Sequence, residues 1–302
     1  MLNRLDEAKA TIQEAQAHNL AFPNIHRCLY NIAFLEHDAA SMEREVAVLM
    51  SKPGHETGVL YRESETAAYS GQFSRARDMA RHLVETLQRA DRKDGAAAYE
   101  AEAALREGPA GNLAFAKHQA EDALSLSDHK YVQGVSAVVL GLAGDSAKST
   151  RIADDLAQRF PENTSIQFHY LPMARGATAM QRGNANKAIE ALVVGAPYEL
   201  GEPSWMCCIN LYLVYLRGQA YLAAHQGSPA AAEFQKILNH SGLVVNEPIG
   251  ALAHLGLGRA YAIAGDSAKA KTAYQDFLAL WKDADPDVPI LIQAKAEYAK
   301  LQ

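Results

Sequence analysis

The alternation of apolar, small and polar positions along this chain repeats. Gly218-Gln219-Ala220-Tyr221 is followed by Ala230 and Phe234, and Gly258-Arg259-Ala260-Tyr261 by Ala270 and Tyr274. Glycine, an aromatic three residues on, alanine at twelve and an aromatic at sixteen thus occur twice, 40 residues apart. The pentapeptide Gly-Asp-Ser-Ala-Lys stands at 144–148 and again at 265–269, with related turns at Gly71-Gln72, Gly111-Asn112, Gly183-Asn184 and His37-Asp38. Each turn lies between two apolar segments of helical period. Aligned on it, the copies start at residues 3, 37, 71, 111, 144, 183, 225 and 265. Five positions later come Ala8, Met42, Ala76, Ala116, Ser149, Ala188, Ala230 and Ala270; four further on come Ile12, Val46, Ala80, Ala120, Ala153, Leu192, Phe234 and Tyr274. In most copies the first of these lets two helices touch and the second fills the space beside that contact. A helix pair cannot bury its apolar face alone, so the pattern predicts pairs stacked into a superhelix without β-sheet.

Composition supports an all-α reading. Alanine, the best helix former, accounts for 56 of 302 residues, and there are only 11 prolines. Pro172 falls inside the helical stretch from Thr164 to Arg182 and predicts a kink or a fresh helix start. Val194–Ser204 and Asn239–Glu247 read as ordered loops at the solenoid edge. Residues 1–302 read as one solenoid: an incomplete repeat over 1–20, about seven full repeats over 21–286, and an amphipathic capping helix over 287–302.

The helix–turn–helix unit resembles the tetratricopeptide repeat, a motif of about 34 residues. The small residue at position 8 of that repeat is matched by Gly176, Gly218, Gly258, Ala137, Ala104 and Ser64, while Tyr30 departs from it; the late proline is met by Pro161, approached by Pro53 and displaced at Pro286. The stretches Tyr215–Ala224, Ala232–Leu238, Gly250–Leu255, Ala273–Pro286 and Gln293–Leu301, with Ala196–Gly201, are similar to the C-terminal repeat region of bacterial, chiefly acidobacterial, eukaryotic-like serine/threonine protein kinases. Similar regions occur on winged-helix transcriptional regulators. The resemblance implies a right-handed superhelix that binds a protein or peptide segment without catalysis of its own and without a cofactor. Its alternative is a detached regulatory or sensory region, partnered in cis or in trans by a kinase or DNA-binding domain. In those kinases the catalytic domain precedes the repeats; no glycine-rich phosphate loop, His-Arg-Asp or Asp-Phe-Gly motif occurs here, so kinase activity is not implied.

Net charge is −6, with 29 Lys and Arg against 35 Asp and Glu, which disfavours a direct nucleic-acid or polybasic membrane-surface role. The longest apolar stretches, Gly134–Gly144 and Trp205–Leu216, are too short to span a bilayer. The expected compartment is the cytoplasm, or the periplasm behind an upstream membrane segment. Three cysteines, including neighbouring Cys207 and Cys208, make no disulfide framework. Gly144–Ser149 lacks the glycine a phosphate loop needs before Lys148, and Gly256-Leu257-Gly258 lacks the last glycine of a dinucleotide fingerprint. The eleven histidines form no His-Glu-x-x-His, and there is no Cys-x-x-Cys.

Helical period points positions 2, 5, 9 and 12 of each first helix toward the concave face. They include Arg27, Asn31, Tyr61, Tyr131, Tyr170, Met173, Tyr212, Tyr215, Gln219 and Arg259. Tyrosine joins a large apolar face to a polar tip, so such a groove suits a peptide; the alternative is that these rings pack between helices. Arg27 and Asn31 match two positions of a peptide-carboxylate clamp, but Ala98 and Glu102 stand where it needs basic residues. Asn3–Ala10 aligns with a turn and second helix whose first helix would precede Met1. The expectation is that the chain belongs to a longer protein, or that the face of Leu5, Ala8, Ile12 and Ala15 is covered by a partner or a second copy.

Overall fold

The structure, a computed structural model, describes residues 3–18, 20, 23–52, 54–201 and 210–301. Pro53, Cys207, Cys208 and the end of the 194–204 connection lie outside them. The chain runs through α1 (Leu5–Ala17), α2 (Pro23–Leu35), α3 (Ala39–Met50), α4 (Glu56–Tyr69), α5 (Phe73–Arg89), α6 (Lys93–Ala110), α7 (Leu113–Leu126), α8 (Lys130–Leu142) and α9 (Ser146–Arg159). It continues through α10 (Leu171–Gln181), α11 (Ala185–Val193), α12 (Asn210–Ala223), α13 (Gly227–Asn239), α14 (Ser241–Val244), α15 (Pro248–Ile263), α16 (Ser267–Leu280) and α17 (Pro289–Ala299). Among the described residues there is no strand. Helices pair as α2/α3, α4/α5, α6/α7, α8/α9, α10/α11, α12/α13 and α15/α16, and each pair stacks on the next.

The turn inside each pair follows one backbone recipe. The residue at every repeat start has positive φ: Asn3, His37, Gly71, Gly111, Gly144, Gly183, His225 and Gly265. The left-handed conformation disfavours a Cβ, which explains the five glycines. The next residue caps the second helix. Asp38, Asp145, Asn184 and Asp266 each accept a hydrogen bond from the backbone N–H three residues on.

Within a pair, side-chain sizes at positions sixteen apart compensate. A Cβ on Gly176 would lie 2.7 Å from Leu192, one on Gly218 2.7 Å from Phe234, and one on Gly258 2.8 Å from Tyr274. Where the first helix carries alanine instead, as at Ala104 and Ala137, the residue sixteen on is Ala120 or Ala153, and all four are buried. Glycine thus meets a large side chain and alanine a small one, so each contact is filled without overlap.

Two connections depart from the simple unit. A π-helical turn, Ile166–Tyr170, leads without a break into α10, where Pro172 stands in the first turn. The Asn239–Glu247 connection, expected as a loop, contains the short helix α14. After α11, Glu199 is buried and held by Arg217 at 2.7 Å and Lys236 at 2.7 Å.

The superhelix closes on itself. Its C-terminal end packs against α4 and α6, along a seam between α15/α17 and the early repeats. Trp281 Nε1 donates to the Tyr69 carbonyl at 2.9 Å, the Asp285 N–H to the Gly71 carbonyl at 3.1 Å, and the Ser74 N–H to Asp285 Oδ2 at 2.7 Å. Gly71 is required here twice over: its φ is +75°, and a Cβ would meet Ala284 at 2.5 Å and Trp281 at 2.8 Å. Asn246 Nδ2 donates to the Arg62 carbonyl and to Thr66 Oγ1, both at 3.0 Å. α17 packs on α16 and also on α6, so it covers the last pair and joins the two ends of the winding. α1 has no fully buried residue: Leu5, Ile12 and Ala15 are half-buried against α2 and Ala8 is exposed.

Candidate functional site on the superhelix axis

Closure turns the concave face into an interior. Of the ten residues expected to line an open groove, Asn31, Tyr61, Tyr170, Met173, Tyr212 and Tyr215 are buried, Tyr212 at 0% exposure. Arg27, Tyr131, Gln219 and Arg259 are half-buried. The tyrosine-lined groove is therefore not an open surface, because α15 and α17 occupy the side from which a ligand would enter. The concave positions converge instead on two levels of the axis, while Met173 joins the main apolar core. Arg27 and Asn31 join neither level. They sit on α2, where the Arg27 guanidinium packs over Gly58 and donates to Asn24.

The first level is a buried polar network. Arg106 of α6 lies 3.9 Å from Glu65 of α4 and 4.0 Å from Glu247 at the start of α15. It also donates to Ser64 Oγ at 3.4 Å, and its guanidinium carbon sits 5.6 Å from the Tyr61 ring centroid. The Tyr212 hydroxyl donates to Glu247 at 2.8 Å, and the Tyr131 hydroxyl donates to Glu102. Tyr61 packs on Tyr99 with ring centroids 4.9 Å apart, and Tyr131 on Tyr170 at 5.9 Å. Burial disfavours the Arg106 charge, but the surrounding carboxylates, Glu247 first, outweigh it and the guanidinium stays protonated. Burial, then the adjacent Glu65 carboxylate, holds the Glu247 carboxyl well above the ordinary carboxylate range.

The second level is a cavity of about 380 Å³. Successive first helices line it: Gly108 and Pro109 of α6, Leu142 of α8, Met180 and Gln181 of α10, Tyr215, Leu216 and Gln219 of α12, and Arg259 of α15. Leu113 of α7 and Leu192 of α11 add to the wall, and Ile290 and Gln293 of α17 complete it. Three expected residues, Tyr215, Gln219 and Arg259, are thus brought together. Arg259 is committed to Glu297 through two hydrogen bonds, at 2.8 and 2.9 Å, and Tyr274 donates to the same carboxylate at 2.8 Å. Burial of Tyr215 pushes its phenol up to about 12. The volume falls in the range of ligand pockets, with apolar walls and a few convergent polar groups.

Sequence reasoning missed Arg106, Glu65 and Glu247, and the seam residues Trp281 and Asp285. For the network no local signal was present: Glu65 follows Arg62 and Glu63, Arg106 precedes Glu107 and Glu247 follows Asn246, so each looks like part of an ordinary polar stretch. For the seam there was none either, because its two sides lie more than 200 residues apart in sequence.

No family model matches the sequence, and neither does any curated protein. Solved structures do match. Over 99% of its length the chain aligns with 70% of a monomeric mutant of IFIT1, solved with m7Gppp-AAAA, at TM-score 0.56 and 17% identity. The fold is a tetratricopeptide-repeat solenoid. A tetratricopeptide repeat protein from Parabacteroides merdae aligns more loosely, at TM-score 0.31 and 13% identity, over 82% of this chain and 99% of that one. At these identities the likeness is one of fold. Among the described residues of this solenoid no helix is long and apolar enough to cross a membrane.

Proposed function

We propose that this chain is an interaction scaffold that holds a segment of another protein by seating an apolar side chain in the axial cavity. The observation that carries this reading is the cavity itself: walls of Leu142, Met180, Leu192, Leu216 and Ile290, with the Gln219 and Gln293 amides beside them. Leu113, at the rim, is exposed. An apolar anchor would be desolvated by the walls while a peptide backbone met the amides at the edge, the usual division of labour at an interaction hot spot. The axis favours a peptide over a nucleic acid. IFIT1 was solved with m7Gppp-AAAA, whereas here the two axial guanidinium groups already face carboxyl groups, Arg106 those of Glu65, Glu102 and Glu247 and Arg259 that of Glu297, which leaves little positive charge for phosphates.

A narrower assignment follows from the C-terminal stretches that resemble kinase-associated repeats. The partner would then be a serine/threonine kinase or winged-helix domain, in cis or in trans, in the cytoplasm, or in the periplasm behind a membrane segment. An in-frame kinase or winged-helix domain upstream in the genome would support it; a free-standing gene would turn the choice toward an independent adaptor.

The test of the cavity is a displayed peptide library panned on the chain, followed by affinity measurement against Met180→Trp, which fills the space. Selected peptides are expected to share one large apolar residue, and the filled variant to lose at least tenfold in affinity, about 1.4 kcal/mol. Equal binding by a folded Met180→Trp would overturn the assignment, as would selective retention of RNA at physiological salt.

A further inference from the structure

The axial cavity straddles the seam. Pro109 and Leu113 come from the early repeats, Arg259 and Ile290 from the end of the winding, so the cavity is complete only while the superhelix is closed. The polar network lies across the same seam. Glu65 belongs to α4 and Glu247 is the N-cap of α15; both carboxyl groups are buried, and both flank the Arg106 guanidinium, at 3.9 and 4.0 Å. Every element packed around the pair contributes to its charge balance. α2 supplies Tyr30 and α4 Tyr61 near Glu65, α6 supplies Arg106 and Glu102, and α12 supplies the Tyr212 hydroxyl. One guanidinium thus faces three buried carboxyl groups, and a second negative charge on the pair would be poorly compensated.

We propose that a proton on Glu247 is a latch on the seam, and that losing it opens the superhelix and dismantles the axial cavity. The effect on ligand rests on the cavity reading above; the latch itself stands on the seam geometry. Opening would return Glu247 to water and to the ordinary carboxylate range, whereas closure holds it well above. The closed form therefore binds the extra proton. Its advantage is fully present below the ordinary carboxylate range and is lost as pH rises through the raised value, the closed-to-open ratio falling by up to about tenfold per pH unit.

The experiment is small-angle X-ray scattering on the full chain without ligand, from about pH 5.5 to about pH 9.5, with circular dichroism confirming intact helices. Wild type is expected to expand as pH rises. Glu247→Gln, which keeps the shape of the side chain without titrating, is expected to stay compact throughout; should it fail to fold, Glu65→Gln removes the neighbouring carboxylate from the other side of the seam and is expected to do the same. A wild type of constant size across this range overturns the latch, as does a glutamine variant that expands in step with wild type. Peptide affinity, measured on the compact form alone, tests the cavity separately: absence of binding there removes the proposed ligand site and leaves the latch standing.

Discussion

At the scale of single residues, the packing rule is a compensation of sizes. Gly176, Gly218 and Gly258 face Leu192, Phe234 and Tyr274, whereas Ala104 and Ala137 stand sixteen residues before Ala120 and Ala153. A larger residue at the glycine cannot be absorbed, because its partner already fills the gap. Gly258→Leu is expected to lower stability by about 1–3 kcal/mol, read as a shift in the urea midpoint with unchanged slope. The buried phenols make a second, independent prediction. Burial pushes Tyr30 and Tyr215 each up to about 12, from an ordinary value of 10. The unfolded chain releases these protons first, so their contribution is fully present below pH 10 and is lost as pH rises toward 12, at about 1.4 kcal/mol per pKa unit. Tyr215→Phe should therefore be less sensitive than wild type to alkali over that window, measured by denaturation at each pH.

At the scale of elements, the turns and caps belong to each pair, while α17 belongs to the whole winding. Its role as a cover for α16 could be anticipated from its apolar face. Its packing on α6 could not, because nothing in residues 289–299 names a partner nearly 200 positions earlier. Trp281, just after α16, is buried among Phe73, Phe277 and the Gly71 backbone and donates its indole N–H across the seam. Trp281→Ala removes both the ring and that bond. It is expected to destabilise by about 3–5 kcal/mol and to enlarge the scattering radius even at acidic pH, where the Glu247 proton is still held.

At the scale of the whole molecule, closure decides what the concave face can do. An open winding of the same repeats would present Tyr61, Tyr131, Tyr170 and Tyr212 as a groove. In the closed one they surround a buried network, and only Tyr215, Gln219 and Arg259 line a space that could take a ligand. The cavity-filling and latch experiments belong to this scale, since both ask whether one turn of superhelix can hold or release a partner as a unit.

The helix pairs, their register and the close contacts inside them are determined by sequence alone. All eight repeat starts read from the pattern carry positive φ, and the small residues five positions later are buried from Ala76 onward. These features were legible because they are local: a left-handed turn, a cap and a helix–helix contact each involve residues within about one repeat. Ala8 stays exposed and Met42 only half-buried because α1 and α3 lie at the thin end of the stack, where fewer helices pack against them. The tertiary structure alone decided that the winding closes. Small changes in the angle between successive pairs add over seven of them, and their sum brings Gly71 to Asp285 and Glu65 to Glu247. No single repeat encodes that sum, so the sequence could place the tyrosines on the concave face but not say that the face would be shut.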